Sequence, residues 1–229
     1  MKKLVGILLF LGAIQMAKAD VTPKVVELQI TKADITNTVE MRHGKKKVPL
    51  LVDRHFVCSA GFIDGYGDII TAKHCTEDAD TIMVVTSDNK EYRGTIVSSS
   101  ALQDLALIHI DRRNTSYFLL ASSVTQGEDI STLGSPLALT GTQSWGKVAK
   151  VDGDILFMDE SVLPGNSGGV VFNKNEELVG CAVSVAIVGL GVTHLSQAQS
   201  LDSIVFFLRK NRKALGEYGL QPDLRIMDK

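Results

Sequence analysis

Between residues 48 and 192 the chain alternates short apolar or β-branched runs with clusters of turn-forming residues. The runs occupy 48–52, 56–63, 69–71, 81–85, 105–110, 130–133, 146–151, 169–172 and 178–185. Ser87-Asp88-Asn89, Asp111-Arg112-Arg113-Asn114, Asp152-Gly153-Asp154 and Asn173-Lys174-Asn175 punctuate them. Such short polar side chains bond their own backbone and tolerate turn geometry. Many short strands at close spacing predict an all-β antiparallel sandwich or barrel. One segment has a helical period instead. Leu201, Ile204, Val205 and Leu208 fall at i, i+3, i+4 and i+7 after Ser200, with Arg209, Lys210, Arg212 and Lys213 at the end, which predicts a C-terminal helix packed on the sheets. Residues 20–47, ending in Gly44-Lys45-Lys46-Lys47, and residues 214–229 are polar. They are expected to be an N-terminal arm and a C-terminal tail around a domain at 48–213, with the lysine run a solvated loop.

The first nineteen residues follow another pattern: Lys2-Lys3, an apolar run over 4–16 broken only by Gln15, then Ala17-Lys18-Ala19. This predicts a Sec-type signal peptide over 1–19, cleaved after Ala19, and export to the periplasm or the medium. The run is shorter than the roughly 20 apolar residues a spanning helix needs, and no later segment reaches that length, so no membrane span is expected after cleavage. At 229 residues and 45% apolar composition the chain can bury a large core, so disorder is not the default. Segment 1–19 holds three of the 24 basic residues, set against 26 acidic ones. The exported chain is therefore mildly acidic, without the basic footprint of a nucleic-acid or anionic-membrane binder.

Three cysteines in an exported chain allow one bridge and one thiol. Cys58 and Cys75 flank a segment in which Asp64-Gly65-Tyr66-Gly67 separates two apolar runs. A hairpin there brings its ends together, so Cys58–Cys75 is the expected pair. Cys181, within 178–185, reads as a small buried hydrophobe.

Pro164-Gly165-Asn166-Ser167-Gly168-Gly169 is the sharpest chemical signal. Glycines on both sides let the backbone expose a serine and aim amides at one point. The amides of Gly165 and Ser167 could then hold the oxyanion formed when the serine attacks a carbonyl. A serine hydroxyl needs a base near neutral pH, and histidine is the expected choice. Of the five, His43 lies in the charged arm, His55 begins a strand, His109 lies within one, and His194 follows a glycine-rich turn. His74 stands beside Cys75, whose bridge would fix its backbone, so His74 is the candidate base. Its second ring nitrogen needs an acceptor. Asp104 opens the buried run 105–108, whereas Asp78, Asp80 and Asp111 sit in polar surroundings, which makes Asp104 the candidate.

Thr71-Ala72-Lys73-His74-Cys75, Asp104-Leu105-Ala106-Leu107-Ile108 and Gly165-Asn166-Ser167-Gly168-Gly169 resemble, in order, the catalytic blocks of trypsin-like, chymotrypsin-fold serine peptidases. The Pro-Gly-Asn-Ser-Gly-Gly form and Leu133-Gly134-Ser135-Pro136-Leu137 are similar to the HtrA-like branch, while Cys58 and Cys75 resemble the cysteine pair of the chymotrypsin branch. The resemblance covers roughly residues 48–210. It implies two antiparallel six-stranded β-barrels with the site between them, a protein or peptide substrate and no cofactor. It also implies a pocket in which Ser161, six residues before the nucleophile, gives a neutral base and Gly191 lines the wall. Ser184, Val185 and Ala186 would pair with the substrate backbone. A small or medium uncharged residue before the scissile bond follows. Lys73 stands where the family has a small residue or asparagine, and no PDZ domain is expected.

Two other readings stay open. The same string satisfies the G-x-S-x-G elbow of α/β-hydrolases, an esterase reading, but that fold places Asp and His after the serine, and here only His194 follows. The other is a binding module that keeps the peptidase fold without turnover. No H-E-x-x-H, C-x-x-C or G-x-x-x-x-G-K-[ST] string occurs, so no metal or nucleotide site is expected.

Overall fold

The computed structural model describes residues 20–40, 47–113, 116–188 and 191–211. The expected signal peptide and C-terminal tail lie outside them. Alternation builds the first sheet: β1 (Val25–Glu40) buries Val26, Leu28 and Ile30 and leaves Gln29 exposed between them. It pairs antiparallel with β2 (Lys47–Phe62), Leu28 opposite Cys58, and with β4 (Thr81–Thr86), Leu28 opposite Val84. This corrects the expectation of an N-terminal arm at 20–47. Most of that segment is a central strand, its period-two pattern diluted by charged and amide residues. Lys47 starts β2; the rest of the lysine run lies outside the described residues.

β3 (Asp68–Ala72), β5 (Glu91–Arg93), β6 (Thr95–Ser100) and β7 (Leu105–His109) complete the sheet in the order β5-β4-β1-β2-β3-β7-β6. Its two edges, β5 and β6, are consecutive in the chain with only Gly94 between them, so the chain itself turns the corner from one edge to the other.

The second sheet holds β8 (Leu119–Leu120), β9 (Asp129–Gly134), β10 (Thr142–Asp152), β11 (Ile155–Asp159), β12 (Val170–Asn173), β13 (Glu177–Val188) and β14 (Gly191–Ser200). The circuit β12-β9-β10-β11-β14-β13 closes through the β12–β13 pairing into a six-stranded barrel, and β8 adds in parallel to β13. The all-β architecture with a C-terminal helix therefore holds and one six-stranded barrel closes as expected, but the first half is a curled seven-stranded sheet with no pairing between its edges among the described residues, not a second closed six-stranded barrel. The C-terminal helix is α2 (Leu201–Lys210), whose Ser200 hydroxyl caps it by accepting from Ser203 N at 3.2 Å. It buries Leu201, Ile204, Phe207 and Leu208.

Each sheet encloses its own core, and a third apolar cluster joins them. Ile70, Leu105 and Leu107 of the first sheet meet Leu133, Val170 and Cys181 of the second, with Ile204 and Phe207 of α2 over them. Phe118 packs on Phe172 there, ring centroids 5.5 Å apart.

Candidate active site

Strand register brings the first two residues together. β3 pairs with β7 so that Ala72 faces Leu105. The residues just beyond each strand end therefore become neighbours: His74 in the single helical turn α1 (Lys73–Thr76), and Asp104. Asp104 lies in the left-handed region at φ 48°, a strain Asp tolerates better than most and one found often at functional sites. In that conformation its Oδ1 accepts from His74 N at 2.9 Å and its Oδ2 meets His74 Nδ1 at 2.8 Å. Its carbonyl accepts from Lys73 N at 3.0 Å. The ring's backbone and one of its nitrogens are thus held by a single carboxylate.

The Cys58–Cys75 bridge forms as expected, with Cα atoms 6.2 Å apart, and Cys181 is a buried free thiol that burial pushes up in pKa. Cys75 Sγ lies 3.6 Å from the carbonyl oxygen of Ser167, and that oxygen accepts from Ser59 N at 2.8 Å. The bridge therefore links the turn carrying His74 to the strand that holds the Ser167 loop. Ser167 Oγ donates to the Val183 carbonyl at 3.2 Å.

The loop's shape depends on glycine at two places. A Cβ on Gly168, at φ 82°, would fall 2.1 Å from Thr71 Oγ1 and 2.2 Å from the Ser59 carbonyl. One on Gly165, at φ 99°, would fall 2.4 Å from the Ser135 carbonyl. Both positions need positive φ and a bare Cα. The carbonyls across the peptide planes from the Gly165 and Ser167 amides are tethered: Pro164 O accepts from Leu137 N and Asn166 O from Gly169 N, each at 2.8 Å. Carbonyl and N–H point opposite ways in a trans peptide, so both N–H groups are directed away from these tethers.

The remaining expected residues divide. Ser161 is exposed, beside the core residue Val162. Ser184 and Val185 pair with Gln197 and Ser196 of β14, Ala186 follows in β13, and Gly191 opens β14 opposite Val188; the side chains of 184–186 lie outside the described residues. Among the described residues no helix is long and apolar enough to cross a membrane, and no group of three His, Cys, Asp or Glu side chains is arranged to hold a metal. A cavity of about 440 Å³ near Thr22, Ser131, Trp145 and Asn173 shares no residue with this site.

Three buried polar residues escaped the sequence reading. Ser59 contacts the nucleophile loop directly. Glu160 receives the hydroxyls of Thr132 and Ser144, and burial raises its carboxyl. Asp68 on β3 meets His109 on β7 at 2.6 Å, and burial pushes its carboxyl up to about 6. A strand period marks His109 and Asp68 as neighbours only once the β3–β7 pairing is known, and Ser59 has no local signature.

A family model of the trypsin-like peptidase domain matches residues 58–181. The chain is 33% identical over 156 residues to a Pseudomonas putida protein named "Probable periplasmic serine endoprotease DegP-like", covering 62% of this chain and 32% of that one. It is 28% identical over 200 residues to a Chlamydia muridarum protein of the same name, covering 77% and 39%. The chain thus spans about a third of the length of the curated relatives it matches. Among solved structures, the HtrA-type protease AlgW with a decapeptide superposes with a TM-score of 0.69 at 21% identity, over 85% of this chain and 66% of that one. A variant of the same protease reaches 0.74 at 21% identity, over 88% and 66%.

Proposed function

This chain belongs to the trypsin-like peptidase domain family, and from that footing we propose that it is an exported serine endopeptidase working through an acyl-enzyme. Ser167 Oγ attacks the scissile carbonyl carbon while His74 Nε2 takes the hydroxyl proton. Asp104 keeps Nδ1 protonated and stabilises the imidazolium. The Gly165 and Ser167 amides receive the oxyanion. The C–N bond then breaks as His74 returns the proton to the leaving amine. A water molecule, deprotonated by His74, hydrolyses the acyl-enzyme and frees Ser167.

The observation that carries this reading is the two-point grip of Asp104 on His74. The glycine-shaped loop and the tethers behind its amides support the oxyanion role. Among the described residues, β13 pairs from Ser184 onward with β14 alone, leaving one edge for an extended substrate segment, as a peptide adding a strand requires. Ser161 is neutral, which favours uncharged residues before the scissile bond. The basic-apolar-small pattern of residues 1–19, with relatives named periplasmic, supports export.

The test is to expose residues 20–229 to a fluorophosphonate probe and a peptide library. Labelling of Ser167 alone and cleavage after Ala, Val or Leu are expected. A protein that binds peptides but takes up no probe is a binding module, and the reading fails. A profile dominated by Lys and Arg overturns the assignment of Ser161 to the pocket.

A further inference from the structure

Ser59 is the fully buried residue after Cys58 on β2, and its polar groups reach three other segments. Its hydroxyl donates to the Gly165 carbonyl at 2.7 Å and accepts from Ser135 N at 2.7 Å. Its amide donates to the Ser167 carbonyl at 2.8 Å, and its carbonyl accepts from Thr71 Oγ1 at 2.8 Å. We infer that Ser59 is a positioning residue that sets the shape of the oxyanion loop, an assignment that rests on the peptidase reading above.

The chemistry of the hydroxyl makes the argument. A serine side chain has one proton to give and lone pairs to receive. Here the proton fixes the Gly165 carbonyl and a lone pair fixes the amide of Ser135. Two residues beyond Ser135, Leu137 N holds the Pro164 carbonyl at 2.8 Å, the tether that turns the Gly165 N–H the other way. One hydroxyl therefore clamps the loop directly at Gly165 and indirectly through the 135–137 segment. That segment and the residue after it are strained: Leu137 and Ala138 have φ of 51° and 62°. Non-glycine residues stay in such conformations only where their surroundings over-determine them. The fit around the hydroxyl is tight, since a Cβ placed on Gly134 would lie 2.7 Å from Ser59 Oγ.

Removing the hydroxyl leaves a part-buried carbonyl and a buried amide without their partner. The loop then samples shapes in which the Gly165 N–H no longer meets the oxyanion. Loss of a whole oxyanion donor costs on the order of a hundredfold or more in kcat, so partial misalignment in Ser59→Ala should lower kcat about tenfold or more. KM should change less than twofold, because the substrate backbone is held by the edge of β13.

The experiment measures kcat, KM, melting temperature and the inhibition constant of a peptide boronic acid ending in boroalanine, for wild type, Ser59→Ala and Ser59→Gly. The boronate accepts Ser167 Oγ at boron, with the hydroxyl proton passing to His74, and its tetrahedral adduct places an oxygen in the oxyanion hole. Parallel losses in kcat and boronate affinity at nearly constant KM are the expected result, and a purely stabilising role would not produce them. Ser59→Gly deletes the hydroxyl without adding bulk and gives the same readouts if Ser59→Ala does not fold. A lowered melting temperature with kcat and boronate affinity within twofold of wild type overturns the inference, and so does a rise confined to KM. A wild-type protein that neither cleaves peptides nor is labelled at Ser167 overturns the peptidase reading itself.

Discussion

Replacing Cys58 and Cys75 together by alanine isolates the contribution of the bridge under the candidate site. The bridge spans a sequence separation of 17. Opening a loop of that length returns to the unfolded chain conformational freedom equivalent to about 3 kcal/mol. Both residues also belong to the core of the first sheet, so losing two sulfurs leaves a small cavity whose cost has the same sign. For a chain of this size such a change lowers the melting temperature by roughly 6–12 °C. Activity measured well below that temperature should fall without vanishing. The turn α1 has no side-chain cap, but Asp104 still grips His74 at its amide and its ring. Urea unfolding followed by far-UV circular dichroism gives the stability, and peptide cleavage gives the rate. Wild type treated with dithiothreitol should match the variant. An unfolding free energy within about 1 kcal/mol of wild type at unchanged denaturant slope would refute the reasoning.

Ser167→Ala, His74→Ala and the double variant should lose kcat to a similar extent, since residues acting as one unit are not additive; wild-type rates for Ser167→Ala would end the peptidase reading. Burial pushes Asp68 up to about 6 against the opposing pull of His109, with buried Asp64 nearby pushing the same way as burial. A carboxyl raised in the folded state contributes its stability in full below its unfolded value of about 3.9, and that contribution is lost as pH rises through about 6. Urea midpoints should therefore show wild type losing ground to Asp68→Asn between about pH 4 and 6.5, and parallel curves would contradict this. Asn166 is 4% exposed and its Oδ1 has no hydrogen-bond partner, so Asn166→Asp buries an unpaired charge. A loss of roughly 3 kcal/mol at pH 7, partly recovered at pH 5, is expected, and unchanged unfolding at pH 7 would disprove it.

The parts of the molecule that could be read from the chain are those whose signals are local. The contact between His74 and Asp104 and the glycine-shaped turn around Ser167 rest on strings whose neighbours constrain them, and the Cys58–Cys75 pair follows from the hairpin between them. β1 does not stand out as a strand because the apolar Val26, Leu28 and Ile30 alternate with Glu27, Gln29 and Thr31 in a stretch that turns polar toward residue 40. β6, with Ser98, Ser99 and Ser100, and β14, ending Ser196-Gln197-Ala198-Gln199-Ser200, have too few apolar residues to look like strands. Their pairing partners, not their composition, make them so. Ser59 and the Asp68–His109 pair are tertiary facts: residues far apart in the chain find each other only after the sheets have formed.

The apolar cluster that joins the two sheets has a consequence for the order of events during synthesis. Ile70, Leu105 and Leu107 leave the ribosome early, yet the residues that cover them come from β9, β12, β13 and finally α2, the last described element. Domains tend to fold as their chain emerges, but here the first sheet keeps one face uncovered until the helix arrives. Until α2 is made, that face stays open to water, which makes the half-finished chain the form most prone to stick to other chains.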